Sequence, residues 1–212
     1  MAFDRHQSRL TIEIIDNVRS VLVIIRSAMR LRNSIDGYGA IPQLLHWATA
    51  VLVILAWTLG VLGDELPKGS ARAAGLAIHI SAGLAILIIL IARLLWRLAD
   101  PPPPAETTVF GAWLDYVGHF THYALYGLLV AVPIAGILVQ FARGDALPLF
   151  GLAEIPSPWM ANRSFARSVK EVHEVLANGL MVLALIHAAA ALAHHWLFCD
   201  RTLVRMLPSS LR

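Results

Sequence analysis

VHEVLANGLMVLALIHAAAALAHHWLF, residues 172–198, is the stretch on which the reading of this chain turns. Its only acidic residue is Glu174, in what would be the first turn, and it holds no Lys or Arg. About 20 mostly apolar residues suffice for a helix to cross the hydrocarbon of a bilayer. His173 and His187 lie fourteen residues apart within it. Along a helix that is roughly 21 Å, and fourteen steps of about 100° return to nearly the same face. The segment is therefore a spanning helix with two imidazoles on one side, at two depths.

Three further segments have the same character. The first runs from about residue 41 to 63, the second from about 73 to 98 with Arg93 and Arg97 near its end, and the third from about 113 to 141 with Asp115 at its edge. With residues 172–198 they predict an all-α membrane protein, a four-transmembrane-helix bundle. Residues 64–72 and the prolines Pro101 to Pro104 make the first two connections, the latter a stiff extended one. The third connection, about 142–171, contains Gly144, Pro148, Gly151, Pro156 and Pro158 and reads as a folded loop, with room for one short interfacial helix. Pro133 inside the third helix predicts a kink.

Composition agrees with a membrane class: 58% of the 212 residues are hydrophobic and 15% charged. The single cysteine, Cys199, excludes an internal disulfide and a Cys-rich iron–sulfur site. No basic stripe with interleaved aromatics points to nucleic acid. Residues 1–37 stand apart as an N-terminal extension, either an amphipathic interfacial helix or disordered; a start of translation at Met29 is the alternative. No cleavable signal peptide is read there, because Glu13, Asp16, Asn17 and Arg19 interrupt the apolar run. Eleven Arg on the side of the termini against six Lys and Arg on the other predict both termini in the cytoplasm; with a start at Met29 the count is seven against six.

Depth pairs the histidines. His46, early in the first helix, matches His187; His79, early in the second, matches His173. A single membrane histidine is often a packing residue, but ionisable groups inside a membrane are functional by default. Two depth-matched pairs on the inside of a bundle suit bis-histidine ligation of two haems b, with His46, His79, His173 and His187 on the iron. Gly83, Ala177, Ala184 and Ala191 leave room for a flat cofactor, although small residues equally serve helix packing. His119, His122, His194 and His195 cluster toward the cytoplasmic ends, where they read as interfacial anchors or as proton carriers to a quinone. Nothing is read for His6.

Several motifs resemble the bacterial cytochrome b561 family. Tyr38-Gly39-Ala40-Ile41-Pro42-Gln43-Leu44-Leu45-His46-Trp47 is similar to its first-helix motif, and His79 with Gly83 and Arg93-Leu94-Leu95-Trp96-Arg97 to its second. His173-Glu174-Val175-Leu176-Ala177-Asn178, Arg143-Gly144 and Phe150-Gly151-Leu152 fit as well, as does the run from His187 through His194, His195 and Arg201 to Pro208. The resemblance covers residues 38–208 and is strongest to the superoxide oxidases of that family. It implies a multi-pass protein of the bacterial inner membrane, oxidation of superoxide at the periplasmic face, electron passage through two haems b and reduction of ubiquinone. It also implies the same four ligands, and gives His194 a role at the quinone. The N-terminal extension departs from the family pattern.

Basic residues expected on the periplasmic side, Lys68, Arg72, Arg163, Arg167 and Lys170, are either a steering field for the superoxide anion or a solvated rim. Two other readings stand beside the oxidase: a cytochrome b electron-transfer subunit of a dehydrogenase or hydrogenase, and a non-redox, histidine-lined metal transporter.

Overall fold

The computed structural model describes residues 31–63, 65–104 and 112–208. The N-terminal extension before residue 31, with its interfacial-helix reading, lies outside them. Four long helices dominate: α1 (Ala40–Leu62), α2 (Ser70–Ala99), α3 (Ala112–Ala142) and α4 (Arg163–Trp196). Each is long and apolar enough to cross a membrane. A helix satisfies all its own backbone hydrogen bonds, which is what hydrocarbon demands of a spanning segment. α1 packs mainly on α2 and α3 mainly on α4, while α2 with α3 and α1 with α4 close the bundle. Large apolar side chains such as Val51, Ile54, Ile88, Ile91, Leu95, Val182 and Leu185 remain exposed and face outward, as lipid-facing residues do.

α4 begins at Arg163, nine residues ahead of the expected Val172. The Asn162 side chain accepts a hydrogen bond from Phe165 N at 3.0 Å and caps the first turn. Counting apolar residues misses these turns because they carry Arg163, Arg167, Lys170 and Glu171. At about 1.5 Å per residue the 34-residue helix is roughly 51 Å long, well beyond the hydrocarbon thickness, so its first turns stand outside the membrane. His173 therefore sits ten residues inside α4 rather than at its start.

The α3–α4 connection is also not as expected. In place of an interfacial helix it holds an antiparallel hairpin, β1 (Leu147–Leu149) paired with β2 (Ala153–Ile155). Phe150 and Gly151 both take left-handed backbone at φ 55° and 72°, and Leu152 N bonds Leu149 O at 3.0 Å. Two positive φ values in the centre of a tight turn match the right-handed twist of the flanking strands. β1 rests on α2 and α3, with Leu147 buried. This end is called the hairpin end. The other, formed by Ala40, Ala99, Ala112 and Trp196, is the termini end.

A polar latch closes the termini end. Asn33 N donates to Asp100 Oδ2 at 2.8 Å, and Asn33 Nδ2 to the carbonyls of Asp100 and Pro101 at 3.1 and 3.0 Å. Trp96 Nε1 adds a bond to Asp100 Oδ2 at 3.2 Å. Arg205, buried at the single 3-10 turn Val204–Met206, donates to Pro104 O at 2.8 Å and Ile35 O at 3.3 Å. Trp47 Nε1 reaches Met206 O at 3.0 Å. Side chains thus tie the segment before α1, the proline run after α2 and the C-terminal turn into one cap.

Candidate functional site

The interior of the bundle is built in three layers, and the sequence spacing sets them. Val53, Ile86, Leu129 and Leu180, one from each helix, are buried together with Leu90 in one apolar cluster. Seven residues from each of these, toward the termini end, stand His46, Arg93, His122 and His187. Seven residues in the opposite direction stand Gly60, His79, Gly136 and His173. Seven residues are close to two helical turns and roughly 10 Å of rise, so each triplet shares a face and the three sets stack as levels. These are the termini layer, the apolar layer and the hairpin layer.

In the hairpin layer the rings of His79 and His173 face each other with centres 6.0 Å apart. Each is fixed in the same way. His79 Nδ1 lies 2.8 Å from Ala56 O on α1, and His173 Nδ1 lies 3.0 Å from Val132 O on α3. With a carbonyl as partner, Nδ1 carries the proton and Nε2 is left with its lone pair free for a metal. Gly60 and Gly136 come four residues after the two accepting carbonyls, one turn along the same face, and they clear the space for the rings. A Cβ on Gly60 would lie 3.3 Å from His79 Cε1, and one on Gly136 3.2 Å from His173 Cε1.

The pair borders a cavity of about 540 Å³ whose lining includes Gly83, Pro133, Ala177 and Leu180. Arg72, Arg143, Lys170 and Glu174 lie at its hairpin-end rim. Of the five cations expected to steer an anion, Arg72 and Lys170 therefore border the cavity, and Lys68, Arg163 and Arg167 do not. Arg143 joins them, a residue that the sequence reading placed in a motif but not in this role. Lys170 is paired with Glu174 at 2.9 Å, and Arg72 is held through its guanidinium to Leu66 O at 2.9 Å.

In the termini layer His46 and His187 face each other with ring centres 6.4 Å apart. Here no carbonyl bond holds either ring among the described residues. Aromatic edges take its place: His122 meets His187 edge-on at 5.1 Å, and Trp47 meets His46 at 5.3 Å. His194, one heptad beyond His187, is bonded through Nδ1 to Asp200 Oδ2, which also accepts from Thr202 N through its other oxygen at 2.9 Å. Burial raises the Asp200 carboxyl, but the bonds from His194 and Thr202 outweigh it and hold the group below its usual range. Asp200 is a site residue the sequence did not reveal, since nothing in the spacing shows that the chain turns back after Phe198. His195 packs instead on Trp196.

Both pairs fit a flat iron macrocycle. Two imidazoles sharing one metal from opposite sides, each at about 2 Å, have ring centres about 6 Å apart, which is the spacing of both pairs. A three-residue metal cage of His, Cys, Asp or Glu does not occur among the described residues.

Four spanning helices with facing histidine pairs at two depths define a membrane-embedded cytochrome. Residues 37–209 match the family described as prokaryotic cytochrome b561, and the chain belongs to that family. It is 35% identical over 171 residues to a probable superoxide oxidase, CybB, of Yersinia pestis, covering 81% of this chain and 96% of that one. It is 32% identical over 184 residues to cytochrome b561 homolog 2 of Escherichia coli K12, covering 86% and 97%. A cytochrome b562 of Cereibacter sphaeroides is 29% identical over 176 residues, covering 81% and 95%. The chain is thus a bacterial multi-pass membrane protein of a haem b family that transfers electrons.

Proposed function

We propose that this protein is a superoxide:ubiquinone oxidoreductase with two haems b, one held by His79 and His173 in the hairpin layer and the other by His46 and His187 in the termini layer. The observation that carries the reading is the pair of ring spacings, 6.0 and 6.4 Å, at two depths on a common interior face. Bound there, haem supplies one-electron chemistry between donor and acceptor. The residues do the rest. The hairpin end faces the periplasm, and Arg72, Arg143 and Lys170 at the cavity rim attract a small anion toward His79 and His173. Carbonyls on α1 and α3 hold those two rings in one tautomer and one orientation. The apolar layer between the two levels offers water no hydrogen-bonding group. At the cytoplasmic end His194 meets the quinone: Asp200 occupies its Nδ1, leaving Nε2 to hold or pass a proton to a quinone oxygen.

Purified, haem-loaded protein tests this directly. It reduces ubiquinone when supplied with superoxide, and that activity is lost when superoxide dismutase removes the donor. Coloured protein that passes no electrons from superoxide to quinone overturns the assignment. The alternative then is a cytochrome b subunit fed by a partner dehydrogenase or hydrogenase. One feature favours it: Leu152 at the hairpin tip and Met160 in the loop that follows are 90% and 93% exposed, apolar side chains at the hairpin end available to a partner.

A further inference from the structure

Three helices bring a histidine to the termini layer, and α2 brings Arg93. Arg93 lies fourteen residues after His79 on the same face, and it continues the buried stripe of Ala82, Ile86 and Leu90. It is six residues from the end of α2, as His46 is six residues from the start of α1, so at about 1.5 Å per residue both lie roughly 9 Å inside the termini end. It thus shares its level in the bundle with His46.

A half-buried guanidinium at that depth is costly and needs an anion. Among the described residues it has no carboxylate partner. Its guanidinium carbon lies 5.6 Å from the centre of the Tyr126 ring. A guanidinium has five N–H donors in a planar fork, so this contact positions Arg93 and leaves donors over. Arg97, one turn outward on the same face, is exposed and suited to a headgroup; Arg93 is a turn too deep. Tyr38 marks the basic character of the spot: burial pushes its phenol up, opposed by Arg97, Arg205 and Arg93.

We propose that Arg93 is an anion-binding residue of the termini layer and takes a carboxylate of the porphyrin clamped by His46 and His187. This rests on the haem reading given above. Haem b carries two carboxylates on one edge, and a fork-shaped cation beside the ring is the partner that edge requires. A fixed positive charge there also favours the reduced iron, since reduction adds negative charge.

The test uses the full-length holoprotein in detergent. Arg93→Gln and Arg93→Lys are compared with the parent in three measurements: equilibrium redox titration in the visible band, rate of haem loss to a scavenger apoprotein, and the carboxylate-side-chain bending band in resonance Raman. Arg93→Gln is expected to lower the potential of one haem and leave the other, to speed loss of that haem roughly tenfold, the worth of one charge-assisted hydrogen bond, and to shift the Raman band. Arg93→Lys keeps the charge and so restores most of the potential, with haem loss in between. The same titration in a His79→Ala background identifies the affected haem as the one in the termini layer. Unchanged potentials in Arg93→Gln overturn the proposal. A shifted potential with unchanged haem loss and Raman band also overturns it, leaving a cation that binds lipid phosphate or acts through its field alone. If Arg93→Gln does not fold, a Lys variant with parental haem loss and Raman band is decisive against it. A colourless parent protein sinks the haem reading itself, a separate result.

Discussion

In the hairpin layer each histidine is bonded to a backbone carbonyl of a neighbouring helix, and a glycine one turn further on makes room for the ring. In the termini layer the facing histidines have no such bond among the described residues; another histidine, a tryptophan and an arginine surround them. The spacing along the helices is the same, but the means of holding the rings is not. A backbone carbonyl fixes tautomer and direction and does not depend on a side chain's rotamer. A ring edge restricts position and leaves the nitrogens uncommitted. The hairpin layer is thus preorganised and the termini layer adjustable, which suits a small anion at one end and a bulky, proton-taking acceptor at the other.

The largest effects come from removing a ligand from either layer. His173→Ala is expected to lose the hairpin-layer haem and keep the other, and His187→Ala the reverse, with quinone reduction cut in both. Haem content by the reduced pyridine spectrum reads this, and an unchanged content in either variant breaks the pairing. The next test separates the two ways of holding a ring. Gly60→Ala and Gly136→Ala force a methyl against His79 and His173 at 3.3 and 3.2 Å, at a cost of about 1–3 kcal/mol. Gly118→Ala meets nothing within 4 Å and, as a glycine replaced inside a helix, gains about 0.5–1 kcal/mol. Thermal unfolding with haem content measures both, and equal behaviour of the three variants removes the contrast.

Smaller effects concern the ends. Asp200→Asn is expected to slow quinone turnover roughly tenfold through the lost charge-assisted bond to His194, with Asp200→Glu recovering part of it. The Asp200 carboxyl titrates below its usual range. Its contribution is therefore complete at neutral pH and is lost as pH falls through that lowered value, so the parent shows an acid limb of turnover that Asp200→Asn lacks; identical profiles disconnect Asp200 from His194. The mildest change is Lys170→Gln. The pair with Glu174 is about half exposed on both sides, so stability moves by about 0–1 kcal/mol. The superoxide rate falls a little and loses some of its dependence on salt. A rate as salt-sensitive as the parent's removes Lys170 from the steering field.

The spans and the histidines on them were legible because hydropathy and helical periodicity are local. The fourteen-residue interval from His173 to His187 could be read from one helix alone. The same interval recurs as His46 to Gly60, His79 to Arg93 and His122 to Gly136, with a buried apolar residue midway in each. Setting the four helices side by side at that period would have identified Gly60, Gly136, Arg93 and His122. Other features were not legible because they depend on which segments become neighbours. The carbonyls of Ala56 and Val132 look like any other helix carbonyls until α2 and α4 lie against them. The latch of Asn33, Asp100 and Arg205 joins residues from three distant parts of the chain. The start of α4 was hidden because its first turns are charged and leave the hydrocarbon.

The middle layer has a consequence for energy coupling. Val53, Ile86, Leu129 and Leu180 offer no hydroxyl, amide or charge along the line between the two histidine levels. A layer without such groups gives a proton no relay, whereas an electron needs none. On the function proposed above, with electrons taken from one compartment and protons from the other, net charge then crosses the bilayer without a proton path beside it.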